Sequence, residues 1–144
     1  MKKIIVILIT GAFIFASCVS LPDIQLGAKV GTNKFLVDAQ SAYQMISVEE
    51  LDARMRANDL FLVNVHIPLE GSIPGTDQTI PYNAVEDFLD LLPADEDEPI
   101  YLYCLSDSMG HTAAQTLLDL GYSTVFNLEG GYNAWRAAGL PFSE

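Results

Sequence analysis

The chain has 144 residues, enough for one domain, and half of them are hydrophobic, so a core can be filled. Its formal net charge is −12 at pH 7. A surface of this sign repels phosphate backbones and anionic lipid headgroups, which argues against nucleic acid as a partner and against electrostatic binding to a membrane.

The first seventeen residues have the pattern of a secretory signal. Lys2 and Lys3 precede an apolar run over residues 4–16, which is too short to span a membrane comfortably. The segment from Phe15 to Cys18 resembles the bacterial lipobox, in which a cysteine is diacylated and becomes the new N-terminus, although Phe15 replaces the usual leucine. Cys18 as a late residue of an ordinary signal peptide is the alternative. We predict a signal peptide over residues 1–17 and a protein that is exported and lipid-anchored to the cell envelope.

Removal of the signal would leave a strongly acidic chain with an unusual thiol. All 19 acidic residues and only five basic ones follow Cys18, a net charge of −14. Attachment would therefore depend on the acyl chains, and two chains make a stable anchor. With Cys18 acylated, Cys104 is the only thiol left and no intrachain disulfide can form. A lone exported thiol suggests a chemical role.

Residues 18–42 are predicted to be the lipid anchor and a tether, and residues 43–144 the domain. The tether is mixed in composition and has no clean hydrophobic period. In the domain, Ser47 and Glu50 have the spacing of a capping box at the start of a helix. In chain order, we predict strand 43–46, helix 47–57, strand 60–65, a brief strand at 79–80, helix 84–92, strand 100–104, helix 109–120, strand 123–128 and helix 132–138.

Strands that alternate with helices predict a parallel α/β sheet. Within the helix at 84–92, Val85, Phe88, Leu89 and Leu92 are predicted to share one apolar face.

Cys104 lies at the predicted carboxyl end of a buried strand, where ligands bind in such sheets. The next helix begins within a few residues. Its free N–H groups and positive dipole end favour an anion such as a thiolate. A small buried hydrophobic residue at a strand end is the alternative interpretation of Cys104.

The sequence from Tyr43 to Pro141 resembles the rhodanese-like family. The matching pieces, in order, are Ile73-Pro74-Gly75, Tyr103-Cys104, Ala113-Ala114, Gly121-Tyr122, Leu128-Glu129-Gly130-Gly131 and Ala134-Trp135. The resemblance implies a five-stranded parallel sheet with helices on both faces. It also implies that Cys104 becomes a persulfide during sulfur transfer.

The loop after Cys104 departs from the family's common form, Cys-x-Ser-Gly-Arg-Met-Ser. The predicted substrate-binding loop consists of Leu105, Ser106, Asp107, Ser108, Met109 and Gly110. Ser108 replaces an arginine that would bind an anionic donor such as thiosulfate through a planar fork of N–H groups. Asp107 replaces a glycine and places a negative charge near the thiol, where it disfavours the thiolate. Both changes weaken the case for thiosulfate as donor, whereas persulfide carriage needs only the thiol and the loop amides.

His66 and His111 are possible auxiliary residues. His66 ends a strand at the same edge as Cys104, and His111 lies just inside the helix that follows the loop. A structural role for His66 and a solvated position for His111 are the alternatives. Two scattered histidines and one cysteine make a poor metal site, and we expect neither a metal nor a cofactor.

The sequence therefore predicts a sulfurtransferase or persulfide carrier whose nucleophile is Cys104. Its partners would be a sulfane-sulfur donor and a thiol acceptor. The alternative is a non-catalytic rhodanese-like binding module in the cell envelope. Phosphatases and arsenate reductases of this fold are improbable relatives, because Gly110 occupies the position of their anion-binding arginine.

Overall fold

A computed structural model describes residues 42–144. The predicted signal peptide, Cys18 and the tether up to residue 41 lie outside the described residues. The described strands are β1 (Gln44–Ile46), β2 (Phe61–Asn64), β3 (Gln78–Thr79), β4 (Ile100–Tyr103) and β5 (Val125–Leu128). The helices are α1 (Val48–Ala57), a 3₁₀ helix (Val85–Leu91), α2 (Ser108–Asp119) and α3 (Gly131–Ala137).

The five strands form one parallel sheet in the order β1-β5-β4-β2-β3. β4 is the central strand, and all four of its residues are buried. A strand covered on both faces needs apolar side chains throughout, which the sequence Ile-Tyr-Leu-Tyr supplies. The parallel α/β sheet predicted from the sequence is confirmed.

Two hydrophobic clusters cover the two faces of the sheet. One contains Val63 and Leu102 of the sheet with Ala114 and Leu117 of α2. The other contains Leu62 of the sheet with residues of α1 and α3, among them Leu51, Tyr132 and Trp135. Helices therefore pack on both faces, as the family resemblance implied.

The ends of the helices use the signals found in the sequence. Ser47 Oγ accepts a hydrogen bond of 3.2 Å from the N–H of Glu50 at the start of α1. α2 ends in a Schellman motif, in which the N–H of Tyr122 donates to the carbonyl of Leu117 at 3.1 Å. Gly121 takes the left-handed conformation that this motif requires, with φ of +109°.

The segment predicted as a helix over residues 84–92 does not form an α-helix. It is a 3₁₀ helix with a kink at Phe88, and Ala84 provides no side-chain cap for it. Leu89 is exposed, so the prediction that it shares a buried face with Val85 and Leu92 is wrong. The backbone of Phe88, with φ of −126° and ψ of 26°, is not helical, so α-helical hydrogen bonding cannot continue through it.

The parallel arrangement brings the carboxyl ends of β2, β4 and β5 to one edge. The segments that leave these strands begin at Val65, Cys104 and Glu129. Among residues 42–144 there is no helix with the length and apolar character needed to cross a bilayer.

Candidate functional site

Cys104 lies directly after the central strand β4 and is only 1% exposed. It belongs to the same buried cluster as Val65 of the neighbouring segment and Ala113 and Ala114 of α2. The N–H of Val65 donates to the carbonyl of Tyr103 at 2.9 Å, which extends the sheet pairing to the residue before Cys104. The thiol is thus held at the end of the buried central strand, which fixes its position as a reactive group requires.

The loop from Leu105 to Gly110 leads from β4 into α2. Within the described residues, none of the backbone N–H groups of this loop has a hydrogen-bond acceptor. Three of them belong to the first turn of α2, which begins at Ser108. Together with the positive end of the helix dipole, these N–H groups make a site that favours negative charge.

The first turn of α3 holds this loop in place. The N–H of Tyr132 donates to the carbonyl of Cys104 at 2.8 Å, and the N–H of Asn133 donates to the carbonyl of Leu105 at 3.2 Å. Gly131 lies so close to the loop that a Cβ there would be 2.2 Å from the carbonyl oxygen of Cys104. Only glycine permits this approach, so the Gly130-Gly131 pair in the sequence serves to shape the cysteine loop.

Asp107 has a structural role that the sequence did not indicate. Its Oδ1 accepts a hydrogen bond of 2.8 Å from the N–H of Gly130. Its carbonyl accepts from the N–H of His111 at 2.9 Å, at the start of α2. The carboxylate that replaces the family's glycine therefore ties the loop to the turn before α3.

Gly110 packs directly against Asn127 of β5. A Cβ at position 110 would lie 2.0 Å from Asn127 Oδ1, so no side chain fits there while Asn127 is in place. The Asn127 side chain is fully buried, and its Nδ2 donates to the carbonyl of Asp107 at 3.5 Å. This contact gives a physical reason why an anion-binding arginine cannot occupy position 110.

His66 is buried two residues beyond β2, at the same edge of the sheet as Cys104. Its backbone N–H donates to Asn64 Oδ1 at 3.0 Å, but neither ring nitrogen has a hydrogen-bond partner among the described residues. Nε2 lies 3.4 Å from Glu70 Oε2, without the geometry of a hydrogen bond. The ring packs edge-on against Tyr132, with centroids 5.5 Å apart.

Tyr132 and Glu70 form a hydrogen-bonded pair beside His66. The hydroxyl of Tyr132 donates to Glu70 Oε2 at 2.6 Å. Burial of the phenol, and then its bond to Glu70, raise the pKa of Tyr132, so the hydroxyl stays protonated as a donor. The same bond lowers the pKa of Glu70, which is therefore ionised at neutral pH.

His111 does not have a free imidazole. Its Nδ1 is 2.6 Å from the hydroxyl of Tyr43, and the two rings lie 5.6 Å apart. The contact joins the start of the domain to the first turns of α2. The prediction that His111 supplies a charge or a proton to Cys104 stays a prediction.

Comparison with known proteins identifies the architecture. The family model of the rhodanese-like domain matches residues 29–138. The chain belongs to the rhodanese-like domain family. A sulfurtransferase from Allochromatium vinosum is 34% identical over 100 residues, which cover 67% of this chain and 91% of that protein. A thiosulfate sulfurtransferase, GlpE, from Pseudomonas aeruginosa is 30% identical over 98 residues, which cover 66% of this chain and 86% of that protein.

A solved structure supports the fold. The rhodanese-related protein from Thermoplasma volcanium superimposes with a TM-score of 0.59 at 23% identity, covering 69% of this chain and 97% of that one. The rhodanese-like fold predicted from the sequence is confirmed, and sulfurtransferases are among the chain's relatives.

The rhodanese-like domain carries few positive charges. Residues 42–144 contain 17 acidic residues, three arginines and no lysine. Arg54, Arg56 and Arg136 pair with Glu50, Asp52 and Glu144 respectively. Among the described residues, none of these guanidinium groups donates a hydrogen bond to the Cys104 loop.

Three residues at the site of this rhodanese-like domain were missed by sequence reasoning. Asn127 stands out in retrospect as the one polar residue of the buried strand Val-Phe-Asn-Leu. A buried polar residue in such a strand needs a specific partner, which is a usable signal. Glu70 and Tyr132 come together only through the tertiary fold, since 62 positions separate them, and no local pattern marks either one.

Proposed function

We propose that the protein is a sulfurtransferase or persulfide carrier in which Cys104 is the sulfur-accepting nucleophile. The Cys104 thiolate attacks the outer sulfur of a donor persulfide, forms Cys104–S–SH and releases the donor as a thiolate. A second thiolate then attacks the outer sulfur of Cys104–S–SH, becomes a persulfide itself and returns Cys104 as a thiolate. Each step exchanges one S–S bond for another, so no external oxidant is needed.

The observation that carries this proposal is that the backbone N–H groups of the loop after Cys104 have no hydrogen-bond acceptor within the described residues. Within the described residues, six consecutive amides from Leu105 to Gly110 lack an acceptor, next to a buried sulfur at the start of α2. Ser106 and Ser108 are exposed and only Gly110 of this loop is buried, so the N–H groups are open to an incoming ligand. A sulfur anion at the outer end of Cys104 would satisfy several of them together.

A neutral or organic persulfide is a better donor for this loop than thiosulfate. Thiosulfate is a dianion, and Ser108 supplies no charge where the family's common loop has an arginine. Arg54, Arg56 and Arg136 are each engaged by a carboxylate. The N–H groups of the loop alone would have to balance both negative charges of thiosulfate.

Intact mass spectrometry tests the proposal. The full-length protein would be incubated with an organic persulfide, and Cys104→Ser would serve as the control. We expect one added sulfur atom on the wild type, none on the variant, and loss of that sulfur when a thiol acceptor is added. A protein that gains no sulfur at Cys104 from any persulfide would contradict the proposal.

A non-catalytic binding module is the second candidate. The observation that favours it is the exposure of Cys104, only 1% in this structure, which leaves an incoming donor little direct access to the sulfur. In that case Cys104→Ser would leave partner binding unchanged. In the sulfur-transfer proposal the same substitution abolishes function.

We also propose that the protein acts outside the cytoplasm, anchored through acylated Cys18. The support is the basic, apolar and small-residue pattern that ends at Cys18. An exported carrier would need no second cysteine, because the transfer steps use only the thiols of its substrates and Cys104.

A further inference from the structure

A groove of about 440 Å³ lies beside the His66, Glu70 and Tyr132 cluster. Its floor includes an antiparallel bridge, in which the N–H of Ser72 donates to the carbonyl of Ser143 at 2.8 Å and the return bond is 3.0 Å. Leu69 on its wall is 59% exposed. The groove is lined by Leu69, Glu70, Gly71, Ser72, Ser143 and Glu144.

Glu70 presents a fixed negative charge to this groove. Its side chain is 54% exposed, and the Tyr132 hydroxyl holds its Oε2 at 2.6 Å. One hydrogen bond leaves most of the lone pairs of a carboxylate available. A hydrogen-bond donor that enters the groove therefore meets a carboxylate held in a fixed orientation.

His66 adjoins Glu70 but is not part of the groove's lining. Its imidazole is buried, its ring nitrogens have no hydrogen-bond partner among the described residues, and Nε2 faces Glu70 at 3.4 Å. A neutral imidazole has one donor and one acceptor nitrogen, and leaving both unused in a buried site is costly. An ammonium or guanidinium group in the groove has several N–H donors for the free lone pairs of Glu70. An anion would meet the charge of Glu70 instead.

Tyr132 connects this cluster to the reacting sulfur. Its side chain binds Glu70, and its backbone N–H donates to the carbonyl of Cys104 at 2.8 Å. Burial and the Glu70 bond are the main reasons why the pKa of Tyr132 is raised. The groove is therefore linked to the cysteine loop by the Glu70–Tyr132 bond and then by the Tyr132–Cys104 bond.

Other charged groups at this end of the sheet reinforce the negative potential. Glu129 is exposed directly after β5, and Asp107 lies in the loop itself. Arg136 does not cancel this potential, because its guanidinium group is paired with Glu144 at 3.0 Å.

We infer that the groove beside Glu70 binds a positively charged side chain of the peptide that exchanges sulfur with Cys104. This inference rests on the proposed function, and it names the class of partner: a cysteine peptide with a neighbouring lysine or arginine. The exposed Leu69 offers an apolar contact that a peptide can make and that a small ammonium thiol cannot. Glu70 is the specificity-determining residue.

The first experiment measures selectivity at Cys104 without requiring persulfide chemistry. Full-length Cys18→Ala, in which Cys104 is the only cysteine, would react with three methanethiosulfonates that carry an aminoethyl, a methyl or a sulfonatoethyl group. In each reaction the Cys104 thiolate forms a disulfide with the reagent's sulfur and releases methanesulfinate. The rates, followed by mass spectrometry, would be compared with those of a neutral free thiol.

We expect the ratio of aminoethyl to sulfonatoethyl rates to exceed the free-thiol ratio. Glu70→Gln keeps an oxygen acceptor for Tyr132 but removes the charge, and should lower the ratio about three- to tenfold. Glu98→Gln is the matched control, because it removes an equal charge from an exposed residue before β4, at the opposite end of the sheet. A wild-type ratio equal to that of the free thiol, an equal loss in both variants, or a folded protein whose Cys104 reacts with none of the reagents would overturn the inference.

The second experiment separates a peptide from a small cation. Persulfidated Cys104 would transfer sulfur to cysteamine and to two cysteine peptides, one flanked by lysine and one by glutamate. We expect the lysine peptide to be the fastest acceptor, with an advantage that Glu70→Gln removes. Cysteamine as the fastest acceptor would overturn the assignment to a peptide. If Cys104 accepts no sulfur at all, the proposed function fails, while the methanethiosulfonate ratio still decides whether the cation site exists.

Discussion

The carboxylate of Asp107 accepts a 2.8 Å hydrogen bond from the backbone N–H of Gly130. This bond joins the loop after β4 to the turn after β5. The two residues are 23 positions apart in the sequence, so the fold, and not local structure, creates the contact.

Asp107→Ala should therefore destabilise the domain. The substitution leaves the Gly130 N–H without its acceptor, and a hydrogen bond to a charged group contributes about 1.5 to 3 kcal/mol. Asp107→Asn keeps the oxygen acceptor and should lose much less. Urea unfolding would give both free energies of unfolding, and equal losses in the two variants would show that the charge, not the acceptor, is what matters.

Ser108→Arg should improve the use of thiosulfate. Ser108 is exposed at the first position of α2, so an arginine fits there without repacking. One charge-assisted hydrogen bond in the transition state corresponds to a rate gain of about one to two powers of ten. Steady-state rates with thiosulfate and with a neutral persulfide would be compared at two salt concentrations.

The gain from Ser108→Arg should be specific to thiosulfate and should shrink at high salt, because exposed charges are screened over about 10 Å at 0.1 M. Adding Asp107→Asn should increase it further, since this change removes the nearby negative charge without removing the tether to Gly130. A variant that gains equally with both donors would show that charge does not determine the choice of donor.

Gly110→Ala should destabilise the protein by about 1 to 3 kcal/mol, because the new methyl group overlaps Asn127 Oδ1. Asn127→Ala creates space at the same place. The double variant should therefore lose less than the two single losses added together. Denaturant midpoints with unchanged slopes would measure this coupling, and strict additivity would mean that Gly110 and Asn127 do not constrain each other.

Acid should weaken the link between Glu70 and Tyr132. The hydrogen bond from Tyr132 lowers the pKa of Glu70 from its ordinary value of 4.5. A lowered carboxyl pKa contributes stability that is present above 4.5 and is lost as the pH falls through the folded-state value. Tyr132→Phe should raise the Glu70 pKa toward 4.5. NMR titration of the Glu70 carboxyl group would check this, and an unchanged pKa in the variant would contradict it.

Cys18→Ala should release the protein from the membrane, because the two acyl chains are the only anchor that the sequence predicts. Fractionation of cells that express the wild type and the variant would measure the effect. Cys104→Ala is the control, and it should remain with the membranes. Retention of Cys18→Ala would contradict the lipoprotein prediction.

The sequence predicted the order of elements well because each signal is local. Ser47 caps α1 and Gly121 ends α2 through contacts within a few residues, and β4 is apolar throughout. The 3₁₀ helix was predicted as an ordinary helix because both kinds place apolar residues at similar spacings. The structural difference is the kink at Phe88, which the apolar spacing does not indicate.

The site was predictable only in part. Cys104 and its loop are contiguous and end a buried strand, so the sequence indicates them directly. The contacts that shape the loop come from Gly130, Gly131 and Asn127, which are distant in sequence. The charge of Asp107 was visible in the sequence, but its hydrogen-bond partner depends on the position of α3 relative to β4.

The close packing of Gly131 under the cysteine loop bears on the order in which the protein matures. A chain that is synthesised from its amino end, or threaded through an export channel in that direction, presents Cys104 well before residues 130–133. Until those residues arrive, the carbonyls of Cys104 and Leu105 lack the N–H groups that later fix them. Cys104 is then an ordinary thiol on an unfinished chain. Its distinctive environment is created late, when the last helix closes the domain, so a nascent or truncated chain should not yet carry sulfur.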